Sequence, residues 1–202
     1  MINPIHEIIR HEADALLNIP IGPNFEAAIE LIYSRVHEQN GKLVTSGMGK
    51  AGQIALNMAT TFSSTGTPAV YLHPSEAQHG DLGVVQKNDV LLFISNSGKT
   101  REIVELVELS KRLYDNLPII VITSNQESTL AQQAQVVLYT GNPKEVCALG
   151  LTPTTSTTVM TVIGDVLVVL LMKKIKFDNA EYAKRHHGGY LGDKSRDAAN
   201  KK

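Results

Sequence analysis

Val90-Leu91-Leu92-Phe93-Ile94 and Ile119-Ile120-Val121-Ile122 are unbroken apolar runs of strand length. A strand that is apolar at every position has no face to give to water. Both of its faces must be covered, as they are in a parallel sheet between helices. The pattern predicts strands over 42–46, 68–72, 89–95, 118–123 and 135–139. It predicts helices over 3–18, 24–39, 50–64, 99–114, 126–133, 153–175 and 178–186. Strands that alternate with helices make a doubly wound α/β sandwich. Ligands of that architecture bind outside the carboxyl ends of the strands, and Ser46, His73, Ser95 and Ser124 all fall there.

Two of the strand ends carry turns suited to an anion. After Ile94 the chain reads Ser95-Asn96-Ser97-Gly98, and a helical pattern through Ile103, Leu106, Val107 and Leu113 follows. The first turn of such a helix offers unpaired N–H groups and the positive end of its dipole. The hydroxyls of Ser95, Ser97 and Thr100 add donors, so a phosphate fits this turn. An ordinary helix cap would use the same residue types. After the strand at 42–46 comes Gly47-Met48-Gly49-Lys50-Ala51-Gly52, a G-x-G-x-x-G match. The acid expected at the end of the next strand for a dinucleotide is missing, since His73-Pro74-Ser75 stands there and the first acid is Glu76. A nicotinamide site is therefore excluded. The glycines still let backbone approach a small ligand, with Lys50 in the first helical turn aimed at it or, alternatively, solvated.

Composition narrows the function classes. A chain of 202 residues suits one domain, read as 1–192 with a frayed tail over 193–202. Net charge is −1, which offers no basic face for nucleic acid. A single cysteine, Cys147, excludes an internal disulfide framework and, without a secretory leader pattern, predicts a cytoplasmic protein. The longest apolar stretch, 159–172, is interrupted by Thr161, Gly164 and Asp165 and reads as a buried helix, not a membrane span.

Six blocks carry a family resemblance. They are Ser-Gly-Met-Gly-Lys-Ala-Gly (46–52), Thr-Phe-Ser-Ser-Thr-Gly-Thr-Pro (61–68), His-Pro-Ser-Glu-Ala-Gln-His-Gly-Asp-Leu-Gly (73–83) and Ser-Asn-Ser-Gly (95–98). Leu-Gly-Leu-Thr-Pro-Thr-Thr-Ser-Thr-Thr (149–158) and His-His-Gly-Gly-Tyr-Leu-Gly (186–192) complete the set. Together they resemble a sugar isomerase (SIS) domain over about 1–192, nearest to the arabinose 5-phosphate isomerases that supply the precursor of Kdo for lipopolysaccharide or capsule. The resemblance implies the SIS fold, a three-layer α/β sandwich with a five-stranded parallel sheet flanked by helices, assembled as a homotetramer with shared active sites. It implies a phosphosugar ligand and no cofactor. Three departures stand out. The sequence stops at Lys202 with no CBS modules, Lys99 replaces an acid usual after Ser-Gly, and His187 replaces the proline usual in His-Pro-Gly-Gly.

Interconverting an aldose and a ketose phosphate moves one proton between C1 and C2 and another between O1 and O2. A carboxylate whose pKa burial raises towards neutrality suits the carbon proton, and an ammonium or histidine suits the enediolate charge. The acids on offer are Glu76, Glu102 and Glu145, and their partners are Lys50, His73, His79 and His186. The resemblance carries catalytic roles onto Lys50, Glu102, Glu145 and His186. It carries substrate contacts onto Ser46, Gly47, Gly49, Gly66, Thr67, His79, Ser95, Asn96, Ser97, Thr100, Thr154, Thr155 and Ser156. Plainer roles exist for each acid: Glu102 as a dipole-complementing helix acid and Glu145 as a loop acid. His73 and His79 with Glu76 offer donors for an inhibitory zinc ion. The run Thr154–Thr158 is a cap or a hydroxyl wall of the sugar pocket, and Cys147 reads as a small hydrophobe.

Two function classes remain. One is an isomerase of ribulose 5-phosphate and arabinose 5-phosphate, or of a six-carbon phosphosugar. The other is a non-catalytic phosphosugar-binding regulatory module, which needs the phosphate turn but not four ionisable residues around it. Lys99 adds an expectation of its own. The cation beside the phosphate turn is either a solvated surface charge or, with Lys50, a contact for a second anion, CMP-Kdo, bound as a feedback ligand.

Overall fold

The computed structural model describes residues 2–199. The chain opens with α1 (Ile2–Leu17) and α2 (Pro23–Ile32), whose first residue is proline, where a missing N–H costs nothing. The helix runs on as a π-helix over Tyr33–Glu38, inside the span predicted as one regular helix. Then come β1 (Leu43–Gly47), α3 (Gly49–Ser64), β2 (Ala69–Tyr71), α4 (Pro74–Ala77), a 3-10 turn at Asp81–Val84 and β3 (Val90–Ile94). After these come α5 (Arg101–Leu113), β4 (Ile119–Thr123), a 3-10 turn at Ala131–Gln133 and β5 (Val136–Tyr139). The chain finishes with α6 (Thr155–Lys174), α7 (Asn179–Arg185) and α8 (Gly189–Ala199).

The five strands form one parallel sheet in the order β2-β1-β3-β4-β5. Successive side chains alternate between its faces. Leu43, Leu92, Ile94, Ile120 and Ile122 pack on one side against α2, α3 and α6, with Ala15 and Leu16 of α1 closing that layer. Val44, Leu91, Phe93, Ile119 and Val121 pack on the other against Ile103, Leu106 and Val107 of α5 and Ala77 of α4. The three-layer α/β sandwich with a five-stranded parallel sheet is thus the observed architecture. All five residues of β1, β3 and β4 are buried, which is why β3 and residues 119–122 of β4 read as continuous apolar runs, while β1 buries Thr45 and Ser46 as well. At the amino ends of β1 and β3, Asp89 is 1 % exposed and accepts from Lys42 Nζ (2.7 Å) and from the backbone N–H of Lys42 (2.9 Å) and Gln86 (2.7 Å). That knot fixes the two central strands side by side.

Among the described residues only α6 is long and apolar enough to cross a membrane, by length and composition alone. Its Val159, Ile163, Leu167 and Leu171 are buried in the core. Gly164 lets it cross α3 closely, since a Cβ there would lie 2.8 Å from Met58 Cγ.

Two further segments differ from the sequence prediction. The helix expected over 126–133 is a loop ending in the turn at Ala131–Gln133. Its side chains bind their own backbone: Asn125 Oδ1 accepts from Glu127 N–H at 3.2 Å, and Ser128 Oγ donates to the Asn125 carbonyl at 2.7 Å. Such local bonds compete with the helical ladder. The tail expected over 193–202 is helical to Ala199, because α8 folds back on α7. Residues 200–202 lie outside the described residues.

Candidate active site

The connection from β1 to β2 passes through α3 on one face of the sheet, and that from β3 to β4 through α5 on the other. β1 and β3 are neighbours, so the chain leaves their carboxyl ends in opposite directions and a crevice opens between them. A cavity of about 860 Å³ lies there. Met48, Lys50 and Ala51 line it from the β1 side, and Ser95, Asn96, Ser97 and Thr100 from the β3 side. The third wall is the long connection between β5 and α6, from Asn142 to Pro153.

The turn after β3 is held from within and from behind. Ser95, 3 % exposed, and Thr100 share a hydroxyl hydrogen bond of 2.9 Å. Gly98 has a φ of +63°, and a Cβ on it would lie 2.0 Å from Ser128 Oγ, so glycine is required there. The Asn96 carbonyl accepts from Thr123 Oγ1 (3.0 Å) and Ser124 Oγ (2.8 Å) at the end of β4. Thr100 is the N-cap of α5, yet its side chain caps no N–H because it faces Ser95. The first amides of α5 are therefore without a side-chain cap. Ser97 is exposed on the cavity; its Oγ accepts from Lys99 N–H at 3.2 Å and keeps its own proton to donate. This combination of dipole, amides and hydroxyl is chemically suited to an anion.

Across the cavity, Lys50 sits in the first turn of α3, exposed and without a salt-bridge partner among the described residues. The G-x-G-x-x-G glycines have a packing role. A Cβ on Gly52 would meet the Gly47 carbonyl at 2.6 Å, so these residues let β1 and α3 touch. Gly49 is the first residue of α3.

Glu145 lines the third wall and is bound by the start of α6. Its Oε2 accepts from Thr154 N–H (2.7 Å), Thr154 Oγ1 (2.9 Å) and Ser156 N–H (3.3 Å), and its Oε1 accepts from Ser156 Oγ. Burial works to raise the pKa of this carboxyl. The donors of Ser156 and Thr154 outweigh it and hold the group below the usual carboxylate range. The sequence expectation of a raised pKa is thereby corrected. The Thr-rich run is neither simply a cap nor simply a wall. Thr154 binds Glu145, the Thr155 hydroxyl donates to Glu12 Oε1 at 2.9 Å, and Ser156 and Thr157 face the cavity.

Cys147, also on this wall, is not a buried hydrophobe. It is partly exposed, and the Thr152 N–H lies 3.2 Å from its sulfur. The backbone and side chain of Thr152, aided by the backbone at Leu151 and Leu149, bring the thiol pKa down to about 7. Sequence reasoning missed this residue, along with Asn142 and Lys144 of the same wall. A loop from Thr140 to Thr154 with no regular structure at the carboxyl edge of the sheet was the available signal.

Other predicted residues stand elsewhere. Ser46 is fully buried and donates to the Leu72 carbonyl at 2.6 Å. Gly66 and Thr67 lie at the amino end of β2, the opposite edge of the sheet. Gly66 packs on Phe177, and the Thr67 hydroxyl bonds His37 Nε2 at 3.2 Å. Glu102 is in the first turn of α5, His79 is exposed after α4, and neither lines the cavity. His186 ends α7, stacked on Tyr182 with centroids 3.7 Å apart, also away from the cavity of its own chain. Lys99 is exposed and outside the cavity. Around His73, as elsewhere among the described residues, no three His, Cys, Asp or Glu side chains are grouped to share a metal ion. His73 Nδ1 is buried without a partner, and its ring meets Tyr71 edge-on.

Residues 36–170 match the family model described as the SIS domain. The chain belongs to the SIS domain family. Over 195 residues this SIS domain is 46 % identical to arabinose 5-phosphate isomerase KdsD of Francisella tularensis, covering 96 % of the chain and 59 % of that protein. The chain thus spans less than two thirds of that curated relative. A Bacteroides fragilis crystal structure, of a protein assigned as a phosphosugar isomerase involved in capsule formation, is 64 % identical with a TM-score of 0.93, covering 94 % of this chain and 99 % of that one. An Escherichia coli CFT073 protein solved in complex with arabinose 5-phosphate is 36 % identical with a TM-score of 0.84, covering 92 % and 96 %.

Proposed function

We propose that this SIS domain is an aldose–ketose isomerase that interconverts ribulose 5-phosphate and arabinose 5-phosphate, in the cytoplasm, for Kdo precursor synthesis. The observation that carries the reading is the cavity between β1 and β3. It brings an uncapped helix start with Ser97, the ammonium of Lys50 and the carboxylate of Glu145 around one space. A volume of about 860 Å³ is ample for a pentose phosphate. The 46 % identity to KdsD and the arabinose 5-phosphate complex of a 36 % identical neighbour favour this substrate over a six-carbon sugar.

In this reading Ser97, with the amides of 96–100, holds the phosphate, and the sugar chain extends towards the opposite wall. Glu145, ionised across the neutral range, accepts the proton from carbon; Lys50 stabilises the enediolate oxygen as its charge develops. The domain works as a homotetramer. Ile5, Ile8 and Ile9 on α1, 47–61 % exposed, and Val166, Val169 and Leu170 on α6 form unpartnered apolar faces suited to assembly. His186, outside its own chain's cavity, acts from a neighbouring subunit and moves the proton between O1 and O2, while Glu102, two residues after Thr100 in the first turn of α5, is the alternative base. CMP-Kdo is the proposed feedback ligand. Its phosphate takes the turn at 95–100, and its second anion faces Lys144, which lines the cavity where Lys99 does not.

The test is purified protein mixed with ribulose 5-phosphate in deuterated water, followed by NMR. Arabinose 5-phosphate carrying deuterium at C2 is expected. Glu145→Gln should abolish exchange and keep phosphosugar binding. Full exchange in that variant moves the base to Glu102. Competitive inhibition by CMP-Kdo that Lys144→Gln weakens and Lys99→Glu leaves untouched supports the feedback reading.

A further inference from the structure

Two adjacent residues of α1 reach the two ends of the cavity wall. His11 Nε2 bonds the Lys144 carbonyl at 2.9 Å, one residue before Glu145. Glu12 Oε1 accepts the Thr155 hydroxyl at 2.9 Å, between the two residues, Thr154 and Ser156, that hold the Glu145 carboxylate. Thr155 is fully buried, and the second carboxyl oxygen of Glu12 is buried with no hydrogen-bond partner. Leaving such an oxygen unpaired is costly, so packing alone is a poor reason for a carboxylate here; the start of α6 gives it a favourable dipole. Between these two bonds the wall has little behind it. A second cavity of about 230 Å³, lined by His11, Asp14, Thr140, Gly141 and Lys144, separates α1 from the loop.

We infer that His11 and Glu12 are positioning residues: α1 clamps the wall at Lys144 and at Thr155, and so aims the Glu145 carboxylate into the cavity. The inference rests on the isomerase reading, and the experiment keeps the two apart through Cys147. This is the only cysteine of the chain and lies on the clamped wall, where the Thr152 N–H reaches its sulfur. Its thiol, with a pKa of about 7, therefore reports the order of the wall without any turnover. The charged groups that share the cavity with it are Lys50, Lys144 and Glu145.

The rate of Cys147 alkylation by iodoacetamide is measured against pH in the full chain, beside isomerisation kinetics. In Glu12→Ala and His11→Ala the half-maximal pH should rise by about one unit as the wall loosens. Turnover should fall about tenfold or more while KM changes little, since the phosphate cradle is untouched. Glu12→Gln, which keeps an acceptor for Thr155, should restore both readouts. Thr155→Val removes the same hydrogen bond at constant volume and replaces Glu12→Ala if that variant does not fold. An unchanged alkylation profile in the Ala and Val variants overturns the clamp. A shifted profile in a protein whose wild type converts no pentose phosphate keeps the clamp and overturns the isomerase reading.

Discussion

Ser97 is the residue on which the phosphate reading turns, because its hydroxyl proton is uncommitted while Ser95 and Thr100 face each other. Ser97→Ala should remove one hydrogen bond to a charged group, about 1.5–3 kcal/mol, and raise KM with turnover nearly unchanged. Steady-state kinetics on ribulose 5-phosphate check this, and wild-type values in the variant would move the phosphate elsewhere. Glu145 gives a second expectation, on acid stability. Its folded pKa lies below its unfolded value, so its stabilising bonds are fully present above the ordinary carboxylate range and are lost as pH falls through the lower folded value. Melting temperatures from about pH 3 to about pH 6 should fall on acidification in the wild type, and less steeply in Glu145→Gln. The sequence showed the types of both residues but not the state of the second. A glutamate in Pro-Lys-Glu-Val-Cys carries no sign that Thr154 and Ser156 will fold back onto it. For the same reason Ser46 was legible as a polar residue at a strand end, but not as a buried donor to Leu72.

The strands were the most legible elements, because burial on both faces leaves an apolar run that little else produces. β2 is the weakest case. At the sheet edge it needs only Ala69–Tyr71, each partly buried, and its pattern is correspondingly weak. The clamp could not be read at all, since it joins α1 to a loop residue and to the start of α6, each more than 130 positions away. The α5 turn was legible as strand, small residues, helix. What could not be seen is its buttress, the hydroxyls at the end of β4. That buttress makes Gly98→Ala a test of the element. A side chain in the left-handed region costs about 1–2 kcal/mol, and here its Cβ also meets Ser128 at 2.0 Å. The melting temperature should drop and phosphosugar affinity with it. A variant that is stable but still does not bind would separate the cradle from the fold.

At the scale of the molecule, Lys50 and Glu145 share a cavity within one chain, while His186 and Glu102 do not. If neighbouring subunits complete the site, activity per chain should fall on dilution in step with dissociation seen by light scattering. Mixing His186→Ala with Glu145→Gln protein should then recover part of the lost rate. Dilution-independent activity from a monomer would confine the chemistry to the residues of one cavity. The bond between Glu12 and Thr155 has a consequence in time as well. The two partners are 143 positions apart, so α1 is synthesised long before the helix that it must meet. Contacts of such long separation close late. α6 also covers one face of the sheet, so that face and the wall bearing Glu145 are both completed only when the last long helix has been made.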